Sequence, residues 1–491
     1  MQNRIWETTG ILMQMRCLLF DTEGLWNKYG CNAVALEAGF RIYRAGDDIA
    51  LRHYHECILM DRDNPRAILI VEDPDMYIPL DIVHTYTLIH LSYALLFPRL
   101  CSDVLRKLPC LDFEWLAATY SALPFEELDY TKTEQWCREG MYESDNCRGY
   151  VDDLLARAVS STQTASTHRD WAEIAKLYGK VAMARHAGVG LSKWESIREV
   201  IEDAFAAWVE KKYGMLSGTV DRNRPVLLNK VVDYARRSAD KVAIIVMDGM
   251  SFENLYTIQR EMCDQKFSLA IDATFSFFPT VTSVARQAIF SGMLPFEHDK
   301  PYSLDNEEKQ WFHYWRNIGL QEQEIFFHKG IVDDIPSTVK AVGIVINIID
   351  DLMHAELQGF VGIQNGIREW MRNGMLCKML TMLVDRGYMV YLTSDHGNTS
   401  AIGKGRFSKP GILAESASRR AVIYNASFDA RELEKFNVMR YSGTYLPSGH
   451  TVYLFGRDDC YGDTGKEYIT HGGMTLEEAV VPFVRIGERN G

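Results

Sequence analysis

The stretch KVAIIVMDGMSFENLYTIQREM, Lys241 to Met262, is a continuous aliphatic run that ends in an acid and a glycine and then takes on helical spacing. The same design recurs in VGIVINIIDDLMHAEL (342–357) and GYMVYLTSDHG (387–397). Short apolar strands entering acidic ends, with helical stretches between them, predict the parallel strands of an α/β sheet. Ligands of such sheets bind outside the carboxyl ends of the strands, and that is where all three acidic ends lie.

Outward from these strands, the chain divides by composition. At 491 residues it exceeds one ordinary core and predicts two or three domains. Residues 1–110 read as a small α/β unit, with RAILIVEDPDMYIPLDIV (66–83) as a strand, an acidic turn and a helix. Residues 111–225 turn acidic, aromatic and helical, a helical linker domain. Residues 226–491 hold the strand-end acids and form the third domain. The fold class expected is α/β, with a mostly parallel sheet flanked by helices in the C-terminal half.

Hydrophobic residues make up 47% and charged residues 24%, the balance of a soluble globular protein. A formal net charge of -13 argues against a broad non-specific grip on nucleic acid, while leaving room for a local basic groove. Ten scattered cysteines predict reduced thiols, hence a cytoplasmic protein. No export signal is apparent at the amino terminus. The apolar stretch TYTLIHLSYALLFPRL (85–100) is too short to span a bilayer and reads as a buried helix, so no membrane role is expected.

The strand ends supply metal-binding chemistry. Asp248 on its own reads more simply as a helix cap. Asp350 and His354, four apart, share one face of a helical turn, a spacing suited to chelation. Asp395 and His396 are adjacent and can reach one ion only across a sharp turn before Gly397. His471 precedes two glycines that let the backbone wrap closely around a ligand. Three carboxylates and three imidazoles without thiolate suit zinc, with manganese as the second choice. Two ions about 4 Å apart suit in-line displacement at phosphorus. Thr282, in FSFFPTVTSVARQAIFSGMLP (275–295), opens a helix beside free backbone N–H groups and is the candidate nucleophile, although helix capping is its plainer reading.

The ordered set VMDGMS (246–251), FPTVTSVARQAIFSG (278–292), DDLMH (350–354), SDHG (394–397) and HGGMTLEEAVVPF (471–483) resembles the alkaline phosphatase superfamily, and specifically its PglZ-domain branch. The resemblance implies that Asp248, Asp395 and His396 hold one metal with Thr282 as nucleophile, and that Asp350, His354 and His471 hold the other. Thr280 and Asp351 are the alternates where the motif leaves a one-step ambiguity. It further implies a two-zinc phosphodiesterase acting on a nucleotide or oligonucleotide, nuclease-like, in bacterial phage defence of the BREX and Pgl type, beside partners such as a methyltransferase. A zinc-keeping scaffold and a phosphomonoesterase are the alternatives. Arg286, four residues after Thr282, and Lys404 and Arg406 in GKGRFSK (403–409) are candidate substrate contacts. His450 reads as structural.

Overall fold

A computed structural model describes residues 1–488 apart from 62, 263–265, 304–305, 356–358, 407–417, 426–432 and 434. The chain forms two compact units, 1–147 and 148–488. In the first, β1 (Arg16–Phe20), β2 (Arg41–Ala45), β3 (Ala67–Val71) and β4 (Thr87–His90) make a four-stranded sheet in the order β2-β3-β1-β4. All its pairings are parallel. Leu18, Leu51, Ile58, Leu69 and Ile82 fill its core. The stretch read as one buried helix, 85–100, instead holds strand β4 and a short helix, Tyr93–Leu96. Thr87–His90 pairs with β1, and that ladder satisfies its backbone better than an isolated helical turn.

The second unit is built on β5 (Val242–Met247), β6 (Phe267–Phe275), β7 (Ile325–Lys329), β8 (Ala341–Ile346), β9 (Met389–Thr393), β10 (Thr399–Gly403), β11 (Ala421–Asn425), β12 (Val438–Tyr441), β13 (His450–Phe455), β14 (Asp459–Cys460), β15 (Glu467–Thr470) and β16 (Val480–Glu488). The central sheet has the order β6-β16-β9-β5-β8-β7. Strands β9, β5, β8 and β7 pair in parallel, and β16 runs against both β9 and β6. Every residue of β5 and β8 is buried, as expected for strands covered on both faces. This is the α/β class with a mostly parallel sheet that the aliphatic runs predict. Two smaller sheets, β14-β10-β15 and β11-β13-β12, stand beside it.

Helices α1 (His168–His186), α2 (Trp194–Lys212), α3 (Phe252–Glu261), α4 (Thr282–Ser291), α5 (Glu307–Asn317), α6 (Ile348–Ala355) and α7 (Leu476–Ala479) matter most for the site. Buried Glu202 of α2 accepts the Leu476 backbone N–H through both carboxylate oxygens, at 3.3 and 3.0 Å. Glu478 closes a capping box with Thr475 and accepts the Gly473 N–H at 2.8 Å. These bonds fix the loop from His471 to Leu476. Burial, with the Glu477 charge adding and Arg198 opposing, pushes the Glu202 carboxyl from 4.5 up to about 8. The folded state therefore binds this proton more tightly than the unfolded chain, and the associated stability is full below 4.5 and lost as pH rises towards 8. Denaturation across that window should show the slope, at most about 1.4 kcal/mol per pH unit, and Glu202→Gln should remove it. A slope unchanged in Glu202→Gln would assign it elsewhere.

No described cysteine forms a disulfide. No described helix is long and apolar enough to cross a membrane.

Candidate metal centre

Each strand end delivers one part of the site. Asp248 directly follows β5, and Gly249 follows it in the left-handed region at φ 75°, which turns the chain sharply into α3. Asp395 and His396 follow β9. Ser394 ties the two ends together: its hydroxyl donates to the Met247 carbonyl at 2.7 Å and accepts from the Met250 N–H at 2.8 Å. Asp395 Oδ1 accepts the backbone N–H groups of Gly249 and His396, at 3.1 and 3.0 Å. Gly397 is required by close approach. A Cβ there would lie 1.8 Å from the Glu477 carbonyl oxygen, where the chain before β16 passes over the turn.

Asp248, Asp395 and His396 converge so that one ligand atom from each lies within 4.8 Å of the others, and all three are buried. His396 Nδ1 bonds the Gly397 carbonyl at 2.9 Å, which sets the proton on Nδ1 and presents the Nε2 lone pair to the site. Nε2 lies 3.7 Å from Asp248 Oδ1 and 3.7 Å from Asp395 Oδ2. Among the described residues, those two oxygens and Asp350 Oδ1 are buried without a hydrogen-bond partner. Buried carboxylate oxygens left this way are costly, and a divalent cation is the group that satisfies them. The donor set fits a metal.

The second expected set is looser. His471 lies face to face with His396, ring centroids 3.8 Å apart and planes 9° apart, and its Nδ1 donates to the Thr280 carbonyl at 2.7 Å. Asp350 and His354 of α6 face each other at 3.4 Å. Among the described residues these three do not close to the spacing of the first set. Burial raises the Asp350 carboxyl, but the bond to His354 and the charges of His471, His354 and His396 bring it below its ordinary value. Burial and the Asp248 charge push Asp395 well above its own. Asp351 is exposed at the neighbouring position, so Asp350 is the one turned towards the imidazoles.

Thr282 is the first residue of α4, and its hydroxyl lies 3.0 Å from His396 Nε2. Thr280 differs: its hydroxyl donates to the Gly473 carbonyl and accepts the Gly472 N–H, both at 3.0 Å. Thr280 therefore holds the loop carrying His471. Arg286 is 3% exposed and sits behind the carboxylates. Its Nη1 donates to Asp248 Oδ2 at 3.3 Å and Asn347 Oδ1 at 3.2 Å, and its Nε lies 2.8 Å from Glu307 of α5. Lys329 completes the row, 3.2 Å from Glu307. Nothing in the local sequence around Glu307 or Asn347 marks them out. Lys404 and Arg406 pair with Asp459 and Asp463, both at 2.9 Å. The rest of the GKGRFSK cluster, 407–409, lies outside the described residues. His450 bonds the Ser448 carbonyl and meets the Tyr302 ring.

Residues 226–486 match the family model described as the BREX system PglZ alkaline phosphatase-like domain. The chain belongs to the PglZ family. Its PglZ domain is thereby a phosphoesterase domain of the alkaline phosphatase superfamily, whose members are typically metal-dependent. Among solved structures, murine ectonucleotide pyrophosphatase/phosphodiesterase 5 is similar at 11% identity and TM-score 0.34, over 50% of this chain and 87% of that one. Phosphonoacetate hydrolase from Sinorhizobium meliloti 1021, in complex with phosphonoformate, is similar at 13% identity and TM-score 0.32, over 50% of this chain and 90% of that one. No curated protein matches.

Proposed function

We propose that the PglZ domain hydrolyses a phosphodiester of a nucleotide or oligonucleotide, with Thr282 as nucleophile, as part of a bacterial anti-phage system of the BREX type. The observation that carries this reading is the Thr282 hydroxyl, 3.0 Å from His396 Nε2 and so beside the unpartnered oxygens of Asp248 and Asp395. Asp248, Asp395 and His396 would hold one zinc, and Asp350, His354 and His471 the other, with manganese as the alternative. Bound there, the ions supply positive charge that lowers the pKa of a hydroxyl and stabilises charge on the transferring phosphoryl group.

The chain's own residues do the rest. The first turn of α4 holds Thr282 Oγ1 rigidly and offers backbone N–H groups to phosphoryl oxygens. Attack forms an Oγ1–phosphorus bond and expels one alcohol. Water then cleaves that bond, restoring Thr282 and releasing a phosphomonoester. His396 and His471 are held in one tautomer by backbone carbonyls, so their Nε2 atoms keep their aim through the cycle. Arg286 offsets the charge of Asp248, and Glu307 fixes Arg286.

The test is turnover of an aryl phosphodiester and the matching aryl phosphomonoester, with zinc or manganese and with chelator. The reading predicts metal-dependent hydrolysis with kcat/KM for the diester at least tenfold above the monoester, about 1.4 kcal/mol in the barrier. The reverse preference would make the domain a phosphomonoesterase. Bound metal without turnover of either substrate would favour a zinc-keeping scaffold of the defence assembly.

A further inference from the structure

Arg419 and Arg420 precede β11 and lie along the segment that delivers His471. The Arg419 N–H donates to Thr470 Oγ1 at 3.1 Å, and the Arg420 N–H donates to the His471 carbonyl at 3.2 Å. The two side chains have opposite fates. Arg420 is 1% exposed, with Nε 3.5 Å from Glu478 and Nη1 bonded to the Arg457 carbonyl. Arg419 is half-buried, and its guanidinium carbon sits 4.4 Å from the centre of the Tyr468 ring. Lys466 Nζ approaches the same ring at 5.0 Å.

Neither Arg419 nor Lys466 forms an ion pair with a described residue. That sets them apart from Lys404 and Arg406, whose charges are met by Asp459 and Asp463. Tyr468 is on β15, three residues before His471, a separation of about 10 Å along extended chain. The Arg419 charge also reaches His354, whose side chain is 38% exposed. In a chain of net charge -13, the Arg419 guanidinium, without an ion pair among the described residues, therefore stands at the rim of an acid-rich site, and Lys466, whose charge also reaches Asp463, approaches the same ring. An aromatic ring beneath a guanidinium holds it flat while leaving its N–H edge free to take a phosphate by two parallel hydrogen bonds.

We propose that Arg419, seated on Tyr468 with Lys466 beside it, is a subsite for a second phosphate of the substrate, so that the domain prefers a nucleotide chain with a phosphate next to the diester it cleaves. The proposal rests on the phosphodiester reading above. Its test compares a 5′-phosphorylated thymidine dinucleotide with an aryl diester that carries one phosphate only. In Arg419→Ala the ratio of kcat/KM values, dinucleotide over aryl diester, should fall roughly tenfold, and Arg419→Lys should recover part of it. A parallel measurement reads binding of the dinucleotide to Thr282→Ala protein as a function of salt. There, Arg419→Ala should flatten the slope of log K against log salt by about 0.7, one phosphate contact.

A preserved ratio, whether both substrates lose equally or neither does, overturns the subsite and leaves the phosphodiester reading standing. If the wild-type protein hydrolyses neither diester, the phosphodiester reading falls and binding decides the subsite. Weaker, less salt-dependent dinucleotide binding in Arg419→Ala then keeps it, and unchanged binding overturns it.

Discussion

Thr282→Ala should lower diester turnover at least about 10³-fold, roughly 4 kcal/mol of barrier, while metal content and melting temperature stay near those of the wild type. The hydroxyl is not a structural bond: its contact is His396 Nε2, and the helix it opens has Val281, not Thr282, at its N-cap. Thr282→Ser keeps an oxygen at the same place and should retain part of the activity. Thr280→Ala is the control that separates chemistry from support. It strips bonds from the buried Gly473 carbonyl and Gly472 N–H, so its main effect should be lost stability of about 1–3 kcal/mol per group. Full turnover in Thr282→Ala, or a larger loss of chemistry in Thr280→Ala at equal folding, would move the nucleophile away from Thr282.

Replacing Asp395 and His396 together by alanine should remove about one metal equivalent per chain, read by elemental analysis, because the pair makes up two of the three proposed ligands of the tighter set. Asp395→Asn isolates the charge. Its remaining carbonyl oxygen still accepts the Gly249 and His396 N–H groups, so the turn survives while the ligand weakens. Burial and Asp248 raise the Asp395 carboxyl in the folded chain, so its ionisation opposes folding, and the cost grows as pH rises above the ordinary aspartate range. The metal-free Asp395→Asn protein should therefore melt above the metal-free wild type at neutral pH, whereas with metal the order should reverse. Unchanged metal stoichiometry in the double variant would remove both residues from the site.

What was legible in the chain was the part written locally. The aliphatic runs of 242–247, 341–346 and 389–393 are each followed within four residues by an acid, and strand direction alone brings those ends to one edge of the sheet. The PglZ resemblance rests on motifs at those same ends, on FPTVTSVARQAIFSG and on the HGGMTLEEAVVPF segment, and the family match covers them. Choices made by tertiary contact were not legible. Thr280 and Thr282 flank Val281, and although the resemblance points to Thr282, their different contacts, Thr280 with Gly472 and Gly473 and Thr282 with His396, come from tertiary structure. Arg286, at the spacing of a substrate contact, is buried against Asp248 and Glu307, and Glu307 comes from a helix with no distinguishing motif. Arg419 carries no local signal, because its meaning comes from Tyr468 on a strand about fifty residues further on.

Covalent chemistry at Thr282 is tested by acid-quenching the metal-loaded enzyme during turnover of bis(p-nitrophenyl) phosphate and mapping its peptides by mass. The prediction is a nitrophenylphosphoryl group on the peptide that contains Thr282, absent after chelation and absent in Thr282→Ala. An adduct on another residue, or undiminished turnover by Thr282→Ala protein that carries no adduct, would contradict it.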